Sequence, residues 1–172
     1  MNYVAVAIEL KRNRGVYLNL LSGMRPDEYN WKPEADQWSV LEILCHLYDE
    51  EREDFRKRLK HTLEHPELPF DPIDPEAWVK ERAYAEQDFN RMLAAFLNER
   101  DLSLEWLQTL SSPAWENIHV HPKLGPISAR MLFTNWLAHD YLHIRQMVRL
   151  KYRFLKAISG ESLSYAGEWL VQ

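Results

Sequence analysis

Four long stretches of this chain carry apolar residues at helical spacing, and the segments between them are rich in proline. An apolar stripe that recurs every three to four residues can be buried only against another stripe or a sheet. No stretch shows the sustained two-residue alternation that would supply a sheet. The stripes must therefore cover one another. That restricts the 172 residues to an all-α fold, a four-helix bundle, read as one domain over residues 1–172.

The first pattern runs from about Tyr3 to Ser22, with Val4, Ile8, Val16, Leu18, Leu20 and Leu21 expected in the core and Gly23 as its stop. A loop from Met24 to Trp38 follows. Ser39-Val40-Leu41-Glu42 then reads as a capping box, in which the serine hydroxyl accepts from the Glu42 amide and the glutamate reaches back to the Ser39 amide. This second helix is expected to reach about Leu63 on a stripe of Val40, Leu41, Leu44, Leu47, Tyr48, Phe55 and Leu59. After a proline-rich loop from His65 to Pro72, Asp74-Pro75 opens the third helix, with the acid at the N-cap and proline where its missing amide costs nothing. The third helix runs to about Leu97. Its pattern extends through Leu102, Trp106 and Leu110, with a bend expected near Glu99 to Asp101, and Pro113 ends it.

Trp115 to Pro126 reads as irregular. Its alternation Ile118-His119-Val120-His121 fits an extended segment but is too short to build a sheet. Ser128 caps the fourth helix, expected to run to about Tyr152 with Leu132, Phe133, Trp136, Leu137, Ile144, Met147, Val148 and Leu150 on its core side. The tail Ala157 to Gln172 is expected to pack across the bundle.

Charge excludes several function classes. The net charge of −5 is spread along the chain, and no basic block or basic–aromatic stripe argues for nucleic acid. The cations between Arg52 and Lys60 are interleaved with acids and read as a solvated face. Cys45 is the single cysteine, so no internal disulfide can form, which fits a reducing compartment; it is expected to be a small buried hydrophobe. No leader-like apolar run and no stretch of the ~20 apolar residues needed for a membrane span is present, so a cytoplasmic location is expected.

The chemistry-bearing residues are histidines. His139 and His143 lie four apart on the fourth helix, one turn above each other, so both imidazoles can reach one ion. They flank the apolar stripe, and the bland reading is two partly buried histidines satisfied by hydrogen bonds. Asp140 projects into the stripe itself, where a carboxylate costs several kcal/mol unless paired. It is either a carboxylate that supports the ligand helix or a buried acid that caps a neighbouring loop or pairs with an arginine. His46 sits off the apolar edge of the second helix, with Glu50 one turn further on. Taken alone it reads as a surface histidine; with Glu50 it forms an imidazole–carboxylate pair or supplies a base beside a metal. His119 and His121 would share one side of an extended segment. His61 and His65 end the second helix, where a cation suits the helix dipole, and have no chemical role.

Taken in order, these segments resemble a known family. Trp38-Ser39-Val40-Leu41-Glu42-Ile43-Leu44-Cys45-His46-Leu47 is similar to the start of the second helix in DinB-like (DinB/YfiT) proteins. His121-Pro122-Lys123-Leu124-Gly125 resembles their HPxxG loop, and His139-Asp140-Tyr141-Leu142-His143-Ile144-Arg145-Gln146 their HDxxHxxQ signature. Tyr165-Ala166-Gly167-Glu168-Trp169 resembles a tail of some members. The resemblance implies a four-helix bundle, often a homodimer, with His46, His139 and His143 as ligands of one divalent metal ion. Three imidazoles leave coordination positions free, as metal-assisted chemistry requires. Zinc and nickel suit them best, and iron is also compatible. Members of the family include transferases and isomerases that use low-molecular-weight thiols such as bacillithiol or mycothiol.

The expected function is thus a metal-dependent enzyme of thiol S-transferase or hydrolase type. Glu50 would be a base or the partner of a ligand, Asp140 and Gln146 would support the ligand histidines, and Gln146 and Tyr48 would be within reach of a substrate. The competing expectation is a non-catalytic metal-binding or stress-response bundle that acts as a dimeric interaction module.

Overall fold

The capping box forms as read. In a computed structural model that describes residues 3–167 and Trp169, Ser39 Oγ accepts from the Glu42 amide at 3.2 Å. Glu42 Oε2 accepts from the Ser39 amide at 2.7 Å. Helix α1 spans Tyr3–Leu21, and a short α2, Pro26–Tyr29, lies in the first loop. Beyond the cap, α3 (Val40–Asp49) passes through a π-helical turn, Glu50–Phe55, into α4 (Arg56–Glu64). A π turn carries one more residue than an α turn and is found often at functional sites. Here two consecutive acids, Glu50 and Glu51, are both buried.

The third helical pattern divides. Helix α5 covers Pro75–Glu81, Ala83 turns left-handed at φ 46°, and Asp88 caps a new helix, α6 (Phe89–Thr109), by accepting from the Arg91 amide at 2.7 Å. The break thus falls before Asp88, and α6 runs unbroken through Glu99 and Asp101, where a bend was expected. Asp88 gives the chain a second N-cap inside the apolar pattern, and a cap of that kind starts a helix wherever the preceding turn can reverse. The segment Ile118–His121 (β1) pairs antiparallel with Gly125–Ser128 (β2), so the short alternation does build a sheet, a two-stranded hairpin turning at Gly125, φ 76°. Helix α7 starts from the Ser128 cap and extends past Tyr152 as Ala129–Ser159, ending where Gly160 is left-handed. Of the tail, Tyr165 is exposed while the Trp169 ring lies 5.3 Å from that of Tyr152; Glu168 and residues 170–172 lie outside the described residues.

The bundle consists of α1, the α3–α4 rod, α6 and α7. Helices α6 and α7 each pack against both α1 and the α3–α4 rod. Among the described residues no helix is long and apolar enough to cross a membrane. The second and fourth stripes pack as expected: Val40, Leu41, Leu44, Leu47 and Leu59 are buried, as are Phe133, Trp136, Met147 and Leu150. Cys45 is buried too, and burial pushes its thiol up to about 12.

Helix α1 departs from expectation. Its buried positions are Val6, Leu10, Asn13, Tyr17 and Leu21, whereas Val4 is 68% and Ile8 47% exposed, and Val16 and Leu18 are exposed as well. The reason lies in what α1 faces. The apolar core splits into one cluster around Tyr17, Leu47, Leu97 and Met147, and another around Leu10, Leu59, Leu104 and Trp136. On each of the four helices a polar residue falls between these clusters: Asn13, Glu51, Arg100 and Asp140.

Arg100 is the hub. Its Nε and one terminal nitrogen donate to Glu51 at 2.8 and 2.9 Å, and both terminal nitrogens donate to Asp140 at 2.7 and 2.8 Å. It also donates to the Leu10 carbonyl at 3.2 Å, so all five N–H donors of the guanidinium are used. Trp136 Nε1 donates to Glu51 at 2.8 Å, Asn13 Nδ2 to Asp140 at 3.1 Å, and the Tyr17 hydroxyl to the Asp140 carbonyl at 3.1 Å. Helix α1 turns its polar Asn13 and Tyr17 inward because a buried carboxylate demands them.

Candidate metal centre

Just off this network, between α3 and α7, three imidazoles converge. His46 comes from α3, and His139 and His143 from successive turns of α7. His46 Nε2 and His143 Nε2 lie 3.3 and 3.0 Å from His139 Nε2. One donor atom from each of the three falls within 4.8 Å of the others. His46, expected off the core stripe, is buried, because the groove it faces is closed by α7. The Trp38 ring sits 5.0 Å from His46 and the Phe55 ring 4.9 Å from His139, so the cluster has aromatic walls.

Burial sets the protonation state. It lowers His46 to about 3, with repulsion from His143 adding to the effect. It lowers His139 to about 2, helped by His143 and His46. His143 is lowered as well, against the opposing pull of its hydrogen bond to Gln146. All three are neutral imidazoles at physiological pH, the form that binds metals. Gln146 Oε1 lies 2.8 Å from His143 Nδ1. An amide oxygen only accepts, so Nδ1 carries the ring proton and Nε2 turns a lone pair into the cluster.

On the far side of His46, Nδ1 is buried without a hydrogen-bond partner. It faces Glu50 Oε1, equally unpartnered, at 4.0 Å. Burial raises the Glu50 carboxyl to about 8, with Asp54 beside it adding to the rise.

This donor set fits a divalent cation. A tetrahedral ion bound by imidazole at about 2.0 Å spaces its nitrogens by about 3.3 Å. The three Nε2 atoms, at 3.0 and 3.3 Å, have no hydrogen-bond partner other than one another among the described residues.

The remaining sequence candidates lie elsewhere. Asp140 points its carboxylate at Arg100, the arginine partner that one of the readings expected. The Tyr48 hydroxyl accepts from Arg52 at 2.8 Å and lines a separate cleft with Cys45 and Arg82. His119 Nδ1 contacts the Pro66 carbonyl at 3.0 Å, and its ring stacks on Phe70. His121 Nδ1 accepts from the Lys123 and Leu124 amides at 3.1 Å and shapes the hairpin turn. His61 lies 2.9 Å from the Leu68 carbonyl. Sequence reasoning missed Arg100. The signal was present, since Phe96, Leu97 and Leu104 put Arg100 inside the α6 stripe just as Asp140 lies inside that of α7.

Residues 9–147, most of the chain, match the model of the DinB superfamily. The chain belongs to the DinB superfamily. Among solved structures, this superfamily member is similar to YfiT from Bacillus subtilis, described as a probable metal-dependent hydrolase with an unusual four-helix bundle topology. The two are 18% identical, and the superposition, with a TM-score of 0.78, covers 88% of this chain and 87% of YfiT. At that identity the likeness establishes the fold. No curated protein gives a significant match.

Proposed function

We propose that this DinB-superfamily chain is a metal-dependent enzyme, of hydrolase or thiol-transfer type, in which His46, His139 and His143 hold one divalent cation. The observation that carries the reading is the convergence of three neutral Nε2 atoms from two helices in a space with no other partner for them. Zinc or nickel suits this donor set best, and iron suits imidazole as well. When bound, such an ion supplies Lewis-acid chemistry, acidifying water or a thiol near neutral pH. The description of YfiT as a probable metal-dependent hydrolase supports the hydrolytic branch. The low-molecular-weight thiols of the family resemblance support the transfer branch.

The chain's own groups have separable roles. Gln146 holds the proton of His143 on Nδ1. Glu50 faces the rear of His46, which makes it a positioning residue: its carboxyl oxygen would accept from Nδ1 and fix the ring. Trp38 and Phe55 wall two sides of the cluster. A purely structural ion, pinning α3 to α7, is the less supported reading, because the Glu51–Arg100–Asp140 network already ties those helices to α6.

Elemental analysis of wild type and of His46→Ala, His139→Ala and His143→Ala tests the site. One equivalent in wild type and a strong loss in each variant is expected. Equal metal in all four would sink the proposal. Metal-loaded wild type is then assayed with ester and amide substrates, and with biological thiols paired with electrophiles. Turnover that disappears in the His139→Ala protein marks the reaction class.

A further inference from the structure

A cleft of about 310 Å³ opens beside the histidines, lined by Gln37, Trp38, Gln146, Arg149, Leu150 and Arg153. Two of its walls belong to the histidine cluster: Gln146 bonds His143, and the Trp38 ring lies 5.0 Å from that of His46. Its charge is opposite to that of the protein. The chain carries a net charge of −5, yet this cleft is lined by two guanidiniums one turn apart on α7 and by no carboxylate.

The two arginines differ. Arg153 donates to Gln37 Oε1 at 3.2 Å, with the exposed Glu34 4.0 Å away. Arg149 is exposed and has no hydrogen bond or ion pair among the described residues. No polar contact within the fold therefore accounts for its guanidinium. A planar guanidinium with free donors matches the paired oxygens of a carboxylate or phosphate. An indole face beside it offers an apolar wall to the rest of a small ligand.

We infer that this cleft is the substrate-anchoring subsite of the centre, in which Arg149 and Arg153 grip the carboxylate or phosphate of a small organic anion packed on Trp38. Its reacting end would extend past Gln146 to the histidines. The inference rests on reading the three histidines as the metal centre, and it adds the substrate class: a small acid rather than a neutral or cationic molecule. The volume suits a molecule with one ring or a few carbons, and Leu150 forms an apolar floor.

The test titrates the protein, metal-free and zinc-loaded, with phenyl phosphate and with benzoate. Nuclear magnetic resonance follows the Trp38 indole and Gln146 amide signals. Saturable shifts are expected with both anions and not with benzyl alcohol. Arg149→Ala and Arg153→Ala should each weaken binding about tenfold, the usual loss for a charge-assisted hydrogen bond. Arg145→Ala removes the same charge one turn along the same helix, at a residue that does not line the cleft, and should weaken binding less than either cleft arginine because it offers no direct contact.

An absence of saturable shifts, or an equal loss in Arg145→Ala, overturns the subsite. Failure of the metal reading shows separately, as wild type that takes up no metal. Arginine-dependent anion binding by the metal-free protein still supports the subsite in that case, whereas metal uptake without such binding overturns the subsite alone.

Discussion

Two polar clusters share the α3–α4 rod and α7 and meet there residue against residue: Glu50 beside Glu51 on one side, His139 beside Asp140 on the other. Their accounts close differently. In the arginine network, each guanidinium donor is used and both carboxylates accept from several partners. In the histidine cluster, three Nε2 atoms meet only one another, and His46 Nδ1 and Glu50 Oε1 are buried without partners. Buried polar groups are nearly always satisfied, and those that are not call for an explanation. A satisfied cluster holds the bundle together; an unsatisfied one, built beside it at the cost of desolvating three imidazoles, is poised for something the chain does not itself supply.

Five experiments would break or sharpen that contrast. The largest effect is expected from Arg100→Leu, which leaves Glu51 and Asp140 buried without their cation and should cost about 3–5 kcal/mol in urea unfolding. Replacing Glu51, Arg100 and Asp140 together by apolar residues of similar volume should cost less than Arg100→Leu alone. If it costs more, the network is not the self-contained unit described above.

Next, His139→Ala should lower metal affinity about a hundredfold or more, or about 2.7 kcal/mol, while changing the urea midpoint of metal-free protein little. A collapse of the metal-free fold would instead place His139 with the structural network. Glu50→Ala should weaken metal binding about tenfold, as loss of a ligand's hydrogen-bond partner does, with partial recovery in Glu50→Gln. Competition with a chelator measures both, and unchanged affinity in Glu50→Ala would remove the positioning role.

The last effect is a slope. In metal-free protein the histidines are held neutral by burial, whereas the unfolded chain protonates them near pH 6.5. Below about that pH the unfolded state binds more protons, so stability declines as pH falls, and the decline continues toward about 3 for His46 and about 2 for His139. Urea midpoints between pH 7 and pH 4 should fall less steeply in His46→Ala than in wild type. Parallel curves would show that the imidazole is not held neutral by the fold.

Much of this was legible from local pattern. The Ser39 box, the Ser128 cap and the Gly23 stop each depend on residues within one turn of one another, and all three form. The pairing of His139 with His143 is likewise a property of one helix. His46 was harder to place, because its own helix wheel points it away from the apolar stripe. Only the family resemblance brought it to the other two. Asp140 announced itself as a misplaced charge, but its partner could not be chosen from the sequence, since Arg100 is forty residues away and on another helix.

The sequence by itself determined the helices, their caps and the residue types able to hold a metal ion, because those follow from interactions three and four residues apart. The tertiary structure decided three further things. It chose the face of α1 that turns inward, where Asn13 and Tyr17 displaced Val4 and Ile8. It divided the third pattern at Ala83, and it sent Asp140 to an arginine while its neighbour His139 joined two other imidazoles. Each of these depends on what lies across a helix interface. A buried charge takes its partner from whichever helix packs beside it, and no periodicity along one chain segment specifies that neighbour.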